Sequence, residues 1–396
     1  EHLDHVQNLG IDVLYMTPIF KSYSSHKYDI IDYYQIDPSF GTTEDLRELV
    51  QEAHKRGMKI VMDAVFNHTG REFFAFEDIM EKGEKSKYLD WYYIEKFPLE
   101  SERGEIPNYK CFGYYGGMPK LNLKNPEVEK FFTDVACYWI KECDIDGWRM
   151  DVGDEISHYF WKNFRRAVKA VKKDMLIIGE IWHYAGDFLE GDEWDTVMNY
   201  PFYLNLIDLL ADEKINVSQF IQNLGYLKGR LNKKCYPLMW NLIDSHDTAR
   251  FLHLCKDNKK KQHLAAAFQL LLPGMPMIYY GDEFAMPGAN DPDCRRGMYW
   301  DEEYQDKEMF EWYKQLLKVR KNHACIVEGE PLEIAARDGE ETIVLTRKND
   351  EETLALIFNC SSSARMFNEY AQKYDLLREN PFDGKIEGLD AAVIVL

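Results

Sequence analysis

Arg149 stands two residues before Asp151 in DIDGWRMDV, residues 144–152, at the end of a short apolar run. On a β-strand, residues two apart point to the same side. A permanent cation and a carboxylate are therefore aimed at one place, and the cation keeps Asp151 ionised and oriented, as a nucleophile must be. Further on, LIIGEIW leaves Glu180 in an apolar strand with no basic residue near it in sequence. A buried glutamate without a partner is rare. Burial would raise its pKa, which suits a proton donor. One carboxyl kept protonated and another kept charged is the arrangement for glycoside hydrolysis.

These residues need a frame. The stretches IDVLYMTPI, MKIVMDAVFNH, DGWRMD, MLIIGE, WDTVMNY, PLMWNLIDSHD and GMPMIYYGDE read as short apolar strands, with helical patterns between them. That alternation predicts a parallel sheet covered on both faces. Each strand is apolar until its C-terminal end, where polar groups emerge: Asp63, Asn67 and His68; Arg149 and Asp151; Glu180; Asp244, His246 and Asp247. In a parallel barrel these ends meet at one face, where barrel active sites are built. Any one of them alone has a plainer reading, since an Asp after a strand ordinarily caps the next turn and a single His is ordinarily core.

The expected fold is α/β, a (β/α)8 TIM-type barrel over residues 1–324 with a C-terminal antiparallel β-sandwich domain over 325–396. Seven strands are counted where closure needs eight. The chain opens in a helical pattern (Leu3, Val6, Leu9), so the first barrel strand is expected upstream of it. Thr42 with Asp45 is a helix-capping signal, and Asn125-Pro126 opens another helix. An aromatic, loop-like insert is expected at about 70–119. Beyond Ala324, ETIVLTRK, ETLALIFNC and DAAVIVL alternate at strand spacing around turn residues.

The totals narrow the function. Net charge is −20 across 396 residues, which argues against nucleic acid and anionic membrane as partners. Aromatics make up 14%, a surplus that suits ligands with flat apolar faces such as sugars. The eight cysteines form no CxxC pair, which disfavours a zinc or redox motif and fits reduced thiols in the cytoplasm. The sequence holds no transmembrane run, and its first residues hold neither a signal peptide nor an initiator Met.

The blocks DAVFNH, GWRMDV, GEIW and NLIDSHD, in this order, resemble those of the α-amylase family of glycoside hydrolases (family 13). MPKLN at 118–122, GEIWH at 179–183, HKYDIIDYYQIDPSFGT and NDPDCRRGMYWD resemble its neopullulanase, cyclomaltodextrinase and maltogenic amylase group. The resemblance implies retaining cleavage of α-1,4-glucosidic bonds in cyclodextrins, pullulan or malto-oligosaccharides, with transfer to sugar acceptors as a side activity. It makes Asp151 the nucleophile, Glu180 the general acid/base and Asp247 the third carboxylate. His68 and His246 would bind sugar hydroxyls, Arg149 would orient Asp151, and Tyr28 would stack on the sugar. Asp63, Asp291 and Arg295 would line the same subsite, and Trp182 would be an acceptor-side platform.

The expected partner is an α-glucan oligosaccharide, with a homodimer allowed if the group's N-terminal domain is present. No cofactor is expected. Many amylases bind a structural calcium through an Asn in the first block and a His four residues after the nucleophile. Asn67 is present, but Glu155 stands in place of that His, which puts the calcium in doubt. Cys294 stands before Arg295 where Asn is expected. The alternatives are an α-glucosidase or α-1,6-glucosidase of the same family, a fragment disabled by its missing strand, or a non-catalytic carbohydrate-binding relative.

Overall fold

The computed structural model describes residues 2–100 and 107–396. The chain packs as two compact units. The first holds nearly everything up to Val197, and the second holds Met198–Leu396 together with Asn8–Gly10 and Trp182–Gly186.

The first unit is built on a parallel sheet of five strands, in the order Val13–Tyr15, Lys59–Ala64, Gly147–Met150, Leu176–Gly179 and Thr196–Val197. Spatial order follows chain order: α-helices return the first three connections, and the last, from Leu176–Gly179 to Thr196–Val197, holds only the short turn Gly186–Phe188. The returning helices begin where their sequences say. Thr42 forms a full capping box with Asp45 ahead of Thr43–Lys55. Asn125 caps Pro126–Cys143 through the Glu127 N–H, with Pro126 in the first turn, where its missing N–H costs nothing. Ser157 caps His158–Val171. The apolar faces of these helices supply Val50, Phe132, Trp139, Phe160 and Phe164 to the core, all nearly or wholly buried.

Two features differ from the sequence expectation. The insert is not loop throughout, since Phe74–Lys82 is a helix that buries Ala75, Phe76 and Ile79. Its ring contacts explain this: Phe74 meets Phe73, Trp91 and Phe131 edge to face or tilted, which packs the segment on the Pro126–Cys143 helix. Residues 101–106 of the insert lie outside the described residues. The segment HKYDIIDYYQID contributes Ile30–Ile36, paired antiparallel with Phe20–Ser22 as a hairpin.

The second unit holds a parallel pair, Trp240–Asn241 with Met275–Pro276, and a parallel bridge from Met198 to Trp240. The Lys259–Leu271 helix is buried on almost every side. Its Phe268 stacks on Phe358 of the C-terminal sheet, with centroids 4.2 Å apart. That sheet has six strands, Glu330–Arg337, Thr342–Lys348, Thr353–Asn359, Asp390–Val395, Tyr374–Asp375 and Asn380–Pro381, in that spatial order and antiparallel throughout. A two-stranded ribbon, Arg365–Met366 with Lys385–Ile386, shares its core through Phe367 and Ile386. Glu330–Arg337 was not singled out from the sequence; it is an edge strand whose side chains are mostly exposed, Leu332 and Ile334 included.

Candidate active site

The site in the first unit is organised by Arg149, whose side chain is wholly buried. Its register explains why. Arg149 lies beside Asp63 on one neighbouring strand and beside Ile178 on the other, so its guanidinium emerges between two strand ends. Nη1 donates to Asp151 Oδ1 at 2.8 Å and to both Asp63 oxygens at 3.1 and 3.0 Å. Nη2 pairs with Glu180 Oε2 at 2.8 Å. The shared aim of Arg149 and Asp151 is thus as the i, i+2 spacing predicts. The partnerless Glu180 is corrected, because the neighbouring strand supplies the cation that its own stretch of sequence lacks. The backbone N–H of Val152 also donates to Glu180 Oε2, at 3.0 Å.

Val152 carries φ +46° and ψ +46°, the left-handed region, which a β-branched residue adopts only at a cost. This turn follows directly on Asp151 and aims the Val152 amide at Glu180. Gly179 and Gly153 have a shared reason for their lack of a side chain. A Cβ on Gly179 would lie 2.1 Å from the Trp194 ring, and one on Gly153 would lie 2.6 Å from it. Trp194 is thereby wedged against the backbone beside both Glu180 and Asp151. Sequence reading missed Val152 and Trp194, since neither carries a polar group that reaches the chemistry.

Asp63 receives two phenol donors besides the guanidinium, Tyr15 at 2.6 Å and Tyr28 at 3.0 Å. Burial pushes its carboxyl up, against the lowering by Arg149. Tyr15 was not singled out from the sequence, and its place in an apolar strand gave no signal. Burial holds both phenols protonated, as donors. His68 Nε2 lies 3.1 Å from the Tyr28 carbonyl and donates to it, and its ring stacks on Phe112 at 5.1 Å. Burial lowers His68 to about 4, so the imidazole is neutral.

That depression makes stability depend on pH. An unfolded histidine takes up its proton near 6.5, whereas folded His68 does so near 4. The unfolded state therefore gains a proton first as pH falls, and stability is lost between about 6.5 and 4, by up to about 3 kcal/mol. Asp63, raised in the fold, acts in the opposite sense, so the comparison must be between variants. His68→Gln is expected to flatten the fall of Tm between pH 7 and pH 4.5. An unchanged slope would remove His68 as its source.

The second unit holds the remaining candidates. His246 Nε2 lies 3.1 Å from Asp247 Oδ2. Arg295 pairs with Asp247 at 3.3 Å and Asp291 at 3.2 Å, and its Nε donates to the His246 carbonyl at 2.8 Å. Cys294 is buried, and its thiol donates to the same carbonyl at 3.4 Å, which gives this departure from the family pattern a structural role. Asp244 follows the plainer reading: its carboxylate accepts the Phe251 N–H at 2.6 Å, at the start of the Phe251–Leu254 helix. Trp182 stacks on Tyr200 at 3.9 Å and keeps 41% of its surface exposed, so it is an exposed ring backed by another ring rather than core. Tyr28, Asp63, His68, Arg149, Asp151 and Glu180 are thus gathered in one unit, and His246, Asp247, Asp291 and Arg295 in the other.

The calcium that the family pattern implies finds a poor donor set. Lys120 donates to Asn67 Oδ1, and its Nζ lies 2.6 Å from Glu155 Oε2 and 3.4 Å from the Glu155 carbonyl. Asn67 Nδ2 donates to Glu155 Oε2 at 3.2 Å. Calcium takes six to eight oxygens and is favoured by several carboxylates. One carboxylate, one amide oxygen, one backbone carbonyl and a resident ammonium do not fit it. No cluster of three His, Cys, Asp or Glu suited to a metal occurs among the described residues.

A model of the α-amylase catalytic domain matches residues 1–305. The chain is 45% identical over 364 residues to a cyclomaltodextrinase of Geobacillus thermopakistaniensis, covering 92% of this chain and 62% of that protein. It is 47% identical over 330 residues to neopullulanase 2 of Thermoactinomyces vulgaris, covering 83% of this chain and 56% of that protein. It therefore spans less than two thirds of the length of these relatives. A solved cyclomaltodextrinase structure superposes with a TM-score of 0.95 at 38% identity, over all of this chain and 70% of that one. Such similarity carries a TIM barrel and a C-terminal sheet domain with it, and with the match running from the first residue through Asp63, Asp151, Glu180 and Asp247, the chain belongs to the α-amylase family.

Proposed function

We propose that this chain is the catalytic part of a retaining glycoside hydrolase that cleaves α-1,4-glucosidic bonds in cyclodextrins, pullulan or malto-oligosaccharides. The observation that carries the reading is the single buried guanidinium that bonds Asp151 through one nitrogen and pairs with Glu180 through the other. Two carboxylates against one planar fork are held close together. Retaining enzymes need a separation of about 5 Å, whereas inverting ones leave room for a water.

Glu180 gives its proton to the departing glycosidic oxygen while Asp151 attacks the anomeric carbon. Water then cleaves the glycosyl ester, with Glu180 taking its proton. Three carboxylates around one guanidinium carry a negative excess, which favours holding one proton within the cluster. Esterification of Asp151 removes one charge, and the demand for that proton falls with it. A sugar hydroxyl in place of water gives transfer.

Asp247 is assigned the third carboxylate, and His68, His246, Asp63, Asp291 and Arg295 bind the sugar at the cleaved bond. Tyr28 is assigned the stacking ring of that subsite, and Trp182 the acceptor-side platform. The parallel strands are read as parts of one eight-stranded barrel over residues 1–324, and 325–396 as a β-sandwich. The choice of cyclodextrins, pullulan and malto-oligosaccharides as substrates rests on similarity to cyclomaltodextrinase and neopullulanase. Among the described residues no helix is long and apolar enough to cross a membrane, and all eight cysteines are free thiols, in keeping with a reducing compartment.

The test is incubation with β-cyclodextrin, pullulan and maltotriose, with the first-formed anomer followed by proton NMR. Hydrolysis with α-configured product is expected. A β-configured product would exclude the retaining mechanism, and no turnover of any of the three would exclude the substrate class.

A further inference from the structure

The ammonium of Lys120 joins three segments that meet beside the reacting carboxylates. Asn67 follows the strand that carries Asp63 and immediately precedes His68. Glu155 lies in the turn that follows Asp151. Lys120 is on the returning end of the insert, and the backbone there pairs with the strand end: Thr69 N–H donates to the Pro119 carbonyl, and Leu121 N–H to that of Asn67. The lysine side chain is four-fifths buried and Asn67 is wholly so. Asn67 accepts from Lys120 through its oxygen and donates to Glu155 through its nitrogen, so both ends of the amide are used.

Charge fixes which cation belongs there. The oxygens facing this position come from one carboxylate and two neutral carbonyl-type groups, a total of −1. A single ammonium balances that charge. A divalent ion would leave an excess of +1 and would also have to expel the Lys120 head, because both would need the same Asn67 and Glu155 oxygens. From this juxtaposition of Lys120, Asn67 and Glu155 we infer that the chain carries its own structural cation, with the Lys120 ammonium doing the tethering that a bound calcium ion would otherwise do. Its stability and the placing of His68 and Asp151 are consequently independent of calcium. Lys120 is a positioning residue, since it touches the strand ends and not the reacting atoms.

The experiment is thermal unfolding of the chain in millimolar EDTA and in millimolar calcium, with calcium titration calorimetry alongside. For the wild-type chain the two Tm values are expected to coincide within about 1 °C, and no heat of calcium binding is expected. Lys120→Met leaves the buried Asn67 oxygen without its donor. It is expected to lower Tm by about 2–4 °C in both buffers, without rescue by calcium. Lys120→Asp converts the set to two carboxylates and two neutral oxygens. Its Tm is expected to be low in EDTA and to rise saturably with calcium but not with the same concentration of magnesium. A wild-type Tm that falls in EDTA, a wild-type calcium isotherm, or a Lys120→Met chain as stable as wild type would each overturn the inference. So would a folded Lys120→Asp chain that gains nothing from calcium. Should that variant fail to fold, the wild-type titration and Lys120→Met decide.

Discussion

Asp151→Asn is expected to lower turnover of β-cyclodextrin by about 10⁵-fold, the scale on which removal of a catalytic nucleophile acts. The substitution is nearly isosteric, so the consequence is electrostatic rather than steric. An amide oxygen can still accept from Arg149 Nη1, which also keeps Asp63, while Nη2 keeps Glu180. What is lost is the anion that attacks the anomeric carbon. Stability should move the other way. Asp63, Asp151 and Glu180 confront one guanidinium in a buried place, and removing the Asp151 charge from this negative excess relieves repulsion and desolvation. The variant is therefore expected to unfold at or above the wild-type Tm while being nearly inert. Activity is measured by reducing-sugar release and Tm by circular dichroism on the same preparation. Retention of more than about 1% of wild-type turnover would sink the nucleophile assignment. Loss of activity with a large fall in Tm would show that Asp151 holds the fold rather than the reaction.

The parts of this arrangement legible in the sequence are those set by local rules. The i, i+2 spacing of Arg149 and Asp151 on one strand determines their shared side, and Arg149 does bond Asp151. Capping at Thr42 and Asn125 is likewise a matter of a few neighbouring residues. The contact between Arg149 and Glu180 is different in kind. It depends on the pairing of Gly147–Met150 with Leu176–Gly179, and a shift of that register by one residue would turn Arg149 to the other face. Trp194 and Val152 were silent for another reason. They act through volume and backbone conformation, which a residue type does not advertise. The Phe74–Lys82 helix was hidden because its stability comes from rings brought in by Trp91 and Phe131, far along the chain. Lys120 shows both sides. MPKLN was legible as a family block, but the role of its lysine depends on where Asn67 and Glu155 place their oxygens.

Glu180→Gln is expected to divide substrates by leaving group. Removing a general acid costs about 10²- to 10⁴-fold where the departing oxygen needs a proton. A sugar hydroxyl is such a leaving group, and cyclodextrin and maltotriose should show the full loss in their first step. An activated aryl α-glucoside leaves as a stable phenolate, so its first step should be nearly spared. The second step still needs a base to activate water. The variant lacks that base, so the glycosyl ester on Asp151 should accumulate, seen as a burst of phenolate followed by slow turnover. Azide needs no base. Adding it should restore aryl glucoside turnover and yield an α-glucosyl azide, because attack on the β-linked ester inverts the carbon a second time. The substitution is nearly isosteric: the amide oxygen of the new side chain can keep the Val152 N–H bond, while the charge that faces Arg149 is lost. Equal loss on both kinds of substrate, or no rescue by azide, would count against Glu180 as the acid/base. A β-glucosyl azide would show that azide attacks before any ester forms, and the pairing of Asp151 with Glu180 across one guanidinium would then have to serve some other chemistry.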